Sequence, residues 1–213
     1  MKTFIDHFEE TTIIGVLRNI DKSEIMPLLS ASYDAGIRVM EITLNTNEGT
    51  KLISEAANVF GGKLSIGAGT VLNIADAEKA ISAGATFVVG PNCDDKIAEL
   101  CKIKNIAYIP GALTPTEIAH AWEASRHGIV KVFPANVFGP GYIKSLIHGP
   151  YNGMKLLVTG GVLLEDIREY MVAGASGVAI GAGTVYKKEW IEAKNWGAIT
   201  GLLKQYITAI KYS

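Results

Sequence analysis

Eight short apolar segments, separated by longer segments with a helical pattern, constrain the fold of this chain more than any other feature of its sequence. Each segment is rich in aliphatic residues and is bounded by glycine, proline or polar residues. Continuous apolar runs that alternate with helices are typical of parallel strands buried on both faces. The predicted strands are Ile13–Leu17, Arg38–Leu44, Leu64–Ala68, Thr86–Gly90, Ala107–Pro110, Ile129–Phe133, Lys155–Thr159 and Gly177–Gly181.

Signals for the start and end of helices stand between these strands. The segment Thr114-Pro115-Thr116-Glu117 combines an N-cap residue, a proline at the first helical position and a glutamate that completes a capping box. Gly36, Gly84 and Gly174 each precede a strand, where the end of a helix favours a residue with positive φ. A last helix is predicted from about Trp190 to Tyr212.

The 213 residues leave roughly 25 for each strand–helix unit, which is enough for a small α/β fold of the (β/α)8 TIM-barrel type. We expect one domain over residues 1–213, with an extra N-terminal helix before the first strand. A doubly wound open sheet is the competing architecture. The absence of a G-x-G-x-x-G motif after the first strand weakens that alternative.

Charge and cysteine content exclude several classes of protein. The 20 basic and 21 acidic residues are nearly balanced, which argues against nucleic-acid or membrane-surface partners. Cys93 and Cys101 lie too far apart for a C-x-x-C motif and are expected to be reduced thiols. Asp6, Glu9 and Glu10 interrupt the N-terminal segment where a signal peptide would be apolar, so a cytoplasmic location is expected.

A lysine occupies the middle of an apolar predicted strand. Because side chains alternate along a strand, Ile129, Lys131 and Phe133 share one face. Burial lowers the pKa of a lysine, and the free amine is the form that attacks a carbonyl to give a Schiff base. The alternatives are a lysine whose amine reaches solvent, or a shorter strand.

A glutamate repeats this pattern in the second predicted strand. Val39, Glu41 and Thr43 share one face, which we expect to point into the barrel. A carboxylate inside a barrel is a candidate general acid/base. A structural ion pair, for example with Lys131, is the alternative.

Glycine pairs follow the third, seventh and eighth predicted strands. They occur in Gly67–Val71, Thr159–Val162 and Gly181–Thr184. Tight turns need glycine in any case, but barrels often bind phosphate through backbone N–H groups after strands seven and eight. Arg18, which follows the first strand, could bind a carboxylate with two hydrogen bonds or could be an exposed loop residue.

No metal or cofactor site is predicted. The histidines are scattered through the chain, and none has a second ligand at helical spacing or stands at the end of a strand. No G-x-S-x-G motif or Cys/His pairing indicates a hydrolase.

Taken together, these segments resemble the 2-keto-3-deoxy-6-phosphogluconate / 4-hydroxy-2-oxoglutarate (KDPG/KHG) aldolase family. The resemblance covers nearly the whole chain, and five blocks occur in the family's order. These blocks are Glu41–Leu44, Gly67–Val71, Ile109–Gly111, Lys131–Ala135 and Thr159–Gly161.

The resemblance implies a metal-independent, homotrimeric (β/α)8 barrel that acts as a class I aldolase, a lyase. Its substrate would be 2-dehydro-3-deoxy-6-phosphogluconate, cleaved to pyruvate and glyceraldehyde 3-phosphate. Lys131 matches the family's Schiff-base lysine, and Glu41 matches its general acid/base. Residues matching the pyruvate pocket are Thr70, Pro91, Phe133 and Thr159, and those matching the phosphate-binding backbone are Gly160, Gly161, Ala182 and Gly183.

One position departs from the family pattern. Asn45 stands where many members carry an arginine associated with binding of the substrate anion, so we assign the carboxylate to Arg18. Three alternatives remain open: 4-hydroxy-2-oxoglutarate as substrate, the phosphogalactonate epimer as substrate, or a non-catalytic sugar-phosphate-binding barrel. The presence of both Lys131 and Glu41 argues against the last.

Overall fold

The computed structural model describes residues 2–213, which form a barrel of parallel strands surrounded by helices. Neighbouring strands pair in the order β5-β4-β3-β2-β1-β9-β8-β7-β6, and every pair is parallel. The strands are β1 (Ile13–Leu17), β2 (Val39–Thr43), β3 (Ser65–Gly69), β4 (Phe87–Val89), β5 (Ala107–Ile109), β6 (Gly111–Ala112), β7 (Ile129–Val132), β8 (Lys155–Thr159) and β9 (Gly177–Ile180).

The TIM-barrel prediction is confirmed, with one difference in the fifth predicted strand. That strand is interrupted at Pro110, so that β5 pairs with β4 while β6 pairs with β7. Proline has no N–H to donate to a neighbouring strand, which explains the interruption. Its carbonyl still accepts a hydrogen bond of 2.9 Å from the Lys131 N–H, so the two edges of the sheet meet at this residue.

Helices cover the outside of the barrel, except for the first, which lies across one end. They are α1 (Phe4–Thr11), α2 (Lys22–Ala35), α3 (Gly49–Phe60), α4 (Ile74–Ser82), α5 (Asp95–Lys104), α6 (Pro115–Ala124), α7 (Gly139–Ile147), α8 (Ile167–Val172), α9 (Lys188–Glu192) and α10 (Trp196–Lys211). The capping box at Thr114 is present, and Gly36, Gly84 and Gly174 all have positive φ. Within residues 2–213, no helix combines the length and apolar character needed to cross a membrane.

The prediction of one continuous last helix is wrong, because the structure has two helices there, α9 and α10. Lys194 adopts a left-handed conformation with φ of 51°, which a continuous helix does not allow. Asn195 then accepts a hydrogen bond of 3.1 Å from the Ala198 N–H and so caps α10.

The predicted N-terminal helix is present and closes one end of the barrel. Phe4 and Phe8 of α1 belong to the cluster of apolar side chains inside the barrel, and the ring centroids of Phe4 and Phe87 are 4.7 Å apart. His7 is buried beside them, and its Nδ1 lies 2.9 Å from the Ser65 hydroxyl. The barrel is therefore closed at the N-terminal ends of its strands, and a ligand can enter it from their C-terminal ends.

Burial of His7 makes the stability of the protein dependent on pH. Burial lowers the pKa of His7 below its ordinary value of 6.5. In the unfolded chain His7 has its ordinary pKa, so between pH 6.5 and the lower pKa of the folded state the unfolded chain binds more protons than the folded one. The free energy of unfolding therefore falls as pH drops below about 6.5. We expect His7→Gln to flatten this dependence in urea unfolding, whereas His148→Gln, at the exposed end of α7, keeps it. An unchanged slope in His7→Gln would contradict the interpretation.

Candidate active site

Two ionisable side chains point into the open end of the barrel from opposite sides. Glu41 lies on β2 and Lys131 lies on β7, and these strands are four positions apart in the sheet order. Only 1% of Glu41 and 4% of Lys131 are exposed. Burying a carboxyl and an amine costs free energy, and such burial is unusual outside functional sites.

The Lys131 amine is held in largely apolar surroundings. Its Nζ lies 5.1 Å from the centroid of the Phe133 ring, and it forms no ion pair with the described residues. Burial lowers the pKa of Lys131; Glu41 opposes this shift, and the positive charge of Arg18 adds to it. The result is a larger fraction of free amine than an exposed lysine would have.

The Glu41 carboxyl lies over the end of the neighbouring strand β3. A side chain on Gly69 would overlap this carboxyl, so the absence of a Cβ there leaves room for it. Burial raises the pKa of Glu41, while the charges of Lys131 and Arg18 oppose the shift. Oε1 has no hydrogen-bond partner among residues 2–213, which leaves an acceptor free for a ligand.

Arg18 connects two clefts at the mouth of the barrel. Its Nη2 donates a hydrogen bond of 3.1 Å to the hydroxyl of Thr70, at the end of β3. It borders a cleft of about 330 Å³ and a neighbouring cleft of about 760 Å³. A cation at this junction is placed to bind an anion in either cleft.

The smaller cleft brings together most of the predicted binding residues. They are Arg18, Phe133, Thr159, Gly160, Gly161 and Ala182. The buried hydroxyl of Thr159 has no hydrogen-bond partner within the described part of the chain. Like Glu41 Oε1, it is therefore free to bind a ligand. Gly160 and Gly161 have φ of 95° and 66°, which non-glycine residues rarely adopt. These glycines therefore allow a backbone turn that other residues would strain.

The other three predicted positions are Thr70, which accepts the hydrogen bond from Arg18, and Gly183 and Pro91, which line other clefts. Gly183 lines the larger cleft together with Arg18 and Ala182. Pro91 lines a third cleft of about 300 Å³, which meets the 330 Å³ cleft at Phe133. Asn45 is exposed just after β2 and lines none of the three clefts.

The structure also places cations at the site that the sequence did not reveal. Lys187 and Lys188 line the larger cleft near Arg18. They follow the eighth predicted strand by several residues, in a segment with no apolar periodicity, so no sequence signal distinguishes them from exposed lysines. Asp21, Glu189 and Glu192 line the same cleft, and the Lys188 amine lies 3.6 Å from the Glu192 carboxylate, so the positive and negative side chains are balanced there.

Comparisons with known proteins agree on one family. The family model described as "KDPG and KHG aldolase" matches residues 4–202. A 2-dehydro-3-deoxy-phosphogluconate aldolase of Treponema pallidum is 31% identical over 99% of both chains. A 2-dehydro-3-deoxy-6-phosphogalactonate aldolase of Escherichia coli K12 is also 31% identical, over 80% of this chain and 82% of the relative.

One similar solved structure contains a covalent reaction intermediate. It is a KDPG aldolase from Legionella pneumophila in which pyruvate was captured as a covalent carbinolamine intermediate. It superimposes with a TM-score of 0.84 at 26% identity, covering 93% of this chain and 95% of the other.

Proposed function

Because this chain belongs to the KDPG and KHG aldolase family, and is therefore a lyase, we propose that it cleaves 2-dehydro-3-deoxy-6-phosphogluconate through a Schiff base on Lys131. The products would be pyruvate and glyceraldehyde 3-phosphate. The observation that carries the proposal is the pair of buried groups, Lys131 and Glu41, facing each other across the open end of the barrel.

The burial of Lys131 suits it to act as the nucleophile. Attack on the C2 ketone requires the neutral amine, and the pKa of Lys131 is lowered in the required direction. The amine forms a carbinolamine, which loses water to give an iminium. The iminium then accepts the electron pair of the C3–C4 bond when that bond breaks, giving an enamine.

Glu41 suits the proton transfers that accompany these steps. As a carboxylate it accepts the proton of the C4 hydroxyl while the aldehyde leaves, and as an acid it returns that proton to C3 of the enamine. Its raised pKa makes the carboxylate a stronger base than an exposed glutamate. Hydrolysis of the resulting iminium releases pyruvate and regenerates the Lys131 amine.

The two anionic ends of the substrate would bind at different parts of the site. We assign the carboxylate next to the ketone to Arg18, with the hydroxyls of Thr70 and Thr159 beside it. We assign the phosphate to the backbone of the glycine loops that follow β8 and β9. The positive φ values of Gly160, Gly161 and Gly183 are consistent with backbone N–H groups turned towards a ligand.

Replacement of Arg18 tests the carboxylate assignment. A hydrogen bond to a charged group contributes about 1.5–3 kcal/mol, so Arg18→Met is expected to lower kcat/KM by about 10–150-fold, mainly through KM. Arg168→Met, on the exposed side of α8, is the matched control and should leave both constants unchanged. Steady-state kinetics with an unaltered KM in Arg18→Met would contradict the assignment.

The substrate is tested by comparing three compounds in a coupled pyruvate-release assay. We expect 2-dehydro-3-deoxy-6-phosphogluconate to give the highest kcat/KM. The phosphogalactonate epimer and 4-hydroxy-2-oxoglutarate are the competitors, and a higher value for either would replace the proposed substrate. No pyruvate from any of the three would favour the non-catalytic alternative. The trimer and the cytoplasmic location stay predictions.

A further inference from the structure

Three side chains of the kinds that bind transition metals converge at the edge of the third cleft. Cys93 lies in the loop after β4, Asp95 is the first residue of α5, and His120 lies on α6. One ligand atom from each residue can be chosen so that all lie within 4.8 Å of one another. Within this group, the His120 Nε2 lies 2.9 Å from the Asp95 Oδ1.

These separations are close to those that a zinc ion requires. Zinc binds sulfur at about 2.3 Å and nitrogen or oxygen at about 2.0–2.2 Å, so ligand atoms in a tetrahedral site stand about 3.3–3.8 Å apart. The Asp95 and His120 side chains are 74% and 53% exposed. They can therefore rotate to bring their ligand atoms about 1 Å closer to the Cys93 sulfur without displacing the core. The backbone segments therefore need not move to form the site.

The chemistry of the three groups is also selective. A thiolate, an imidazole and a carboxylate together favour Zn²⁺ or Co²⁺ over Mg²⁺ or Ca²⁺, which prefer sites made of oxygen ligands. The neighbouring carboxylates of Asp94 and Glu117 make the surroundings more negative, although Lys96 lies close by in the sequence. This combination differs from an ordinary exposed histidine–aspartate pair, because the Cys93 sulfur lies within 4.8 Å of both groups.

We propose that Cys93, Asp95 and His120 form a binding site for a divalent transition metal such as Zn²⁺, at the rim of the barrel and separate from Lys131. Binding replaces the S–H bond of Cys93 with a sulfur–metal bond, and the proton is released to solvent. Three protein ligands leave a fourth position for water. Cys93 and His120 also line the 300 Å³ cleft bordered by Phe133, so the ion would lie next to the substrate-binding region.

Cobalt provides a test that does not depend on enzymatic activity. Titration of the whole protein with Co²⁺ should produce thiolate-to-cobalt charge-transfer absorption in the near ultraviolet, and Zn²⁺ should displace it. Cys93→Ser should abolish this absorption. Changing a residue that only supports a metal ligand typically lowers metal affinity about 10–100-fold. His120→Gln removes a ligand, so we expect it to weaken Zn²⁺ binding by more than that, as measured by calorimetry.

Matched variants keep the proposal falsifiable. Cys101→Ser, at the buried thiol of α5, and His148→Gln should retain the cobalt spectrum. If Cys93→Ser unfolds, Asp95→Asn serves instead, since its side chain is mostly exposed. Absence of thiolate absorption at saturating Co²⁺, or its loss in Cys101→Ser but not in Cys93→Ser, would overturn the proposal.

Discussion

Lys131→Met is expected to lower kcat for pyruvate release by about 10⁴–10⁶-fold, the range seen when single members of a catalytic triad are removed. Methionine has nearly the same length but cannot form a carbinolamine, so the reaction loses its electron sink. The buried position of Lys131 and its lowered pKa are the structural reasons for expecting so large an effect. Steady-state assays with the preferred substrate measure it directly.

The same substitution should not unfold the protein. Burying an amine without a partner costs free energy, and Lys131 forms no ion pair with any residue from 2 to 213, so an apolar side chain of similar length removes that cost. We therefore expect a Tm no lower than that of the native protein. Lys155→Met, at the exposed start of β8, is the control and should keep full activity. Activity retained in Lys131→Met would refute its role as nucleophile.

Glu41→Gln is expected to lower kcat by about 10²–10⁴-fold, the usual contribution of general acid–base catalysis. Glutamine preserves the shape beside Gly69 but cannot accept and return a proton. Because Lys131 is intact, the variant should still form a reducible adduct with pyruvate, more slowly than the native protein. Single-turnover kinetics and adduct trapping separate these two effects.

An exposed glutamate provides the comparison for this second variant. Glu9→Gln changes a residue at the closed end of the barrel, where its carboxylate lies 3.6 Å from the Lys155 amine. We expect it to leave kcat unchanged, since surface ion pairs contribute little. If Glu41→Gln lost no more activity than Glu9→Gln, the acid/base role would have to be assigned to another group.

The period-2 alternation of side chains explains why so much of the barrel interior was predictable from the sequence. A charged residue in the middle of a buried parallel strand has to face either the barrel interior or the helix layer. For Glu41 we expected the face shared with Val39 and Thr43 to point into the barrel, whereas for Lys131 the sequence showed only that it shares a face with Ile129 and Phe133. The structure confirms the strands and places both side chains inside the barrel.

Features that depend on contacts between distant segments were not predictable in this way. Cys93 and His120 belong to successive strand–helix units, and only the lateral packing of those units brings them together. The break after α9 depends on the backbone conformation of Lys194, whose immediate neighbours Ala193 and Asn195 are neither glycine nor proline. Lys187 and Lys188 reach the larger cleft only because the chain turns back towards Arg18 after β9.

Trapping of the Schiff base tests the central claim most directly. The native protein is incubated with pyruvate, reduced with borohydride, digested and analysed by mass spectrometry. The account predicts one pyruvate-derived addition, located on the peptide that contains Lys131 and absent from Lys131→Met. An unmodified Lys131 peptide, or label on Lys155 or another lysine, would contradict it.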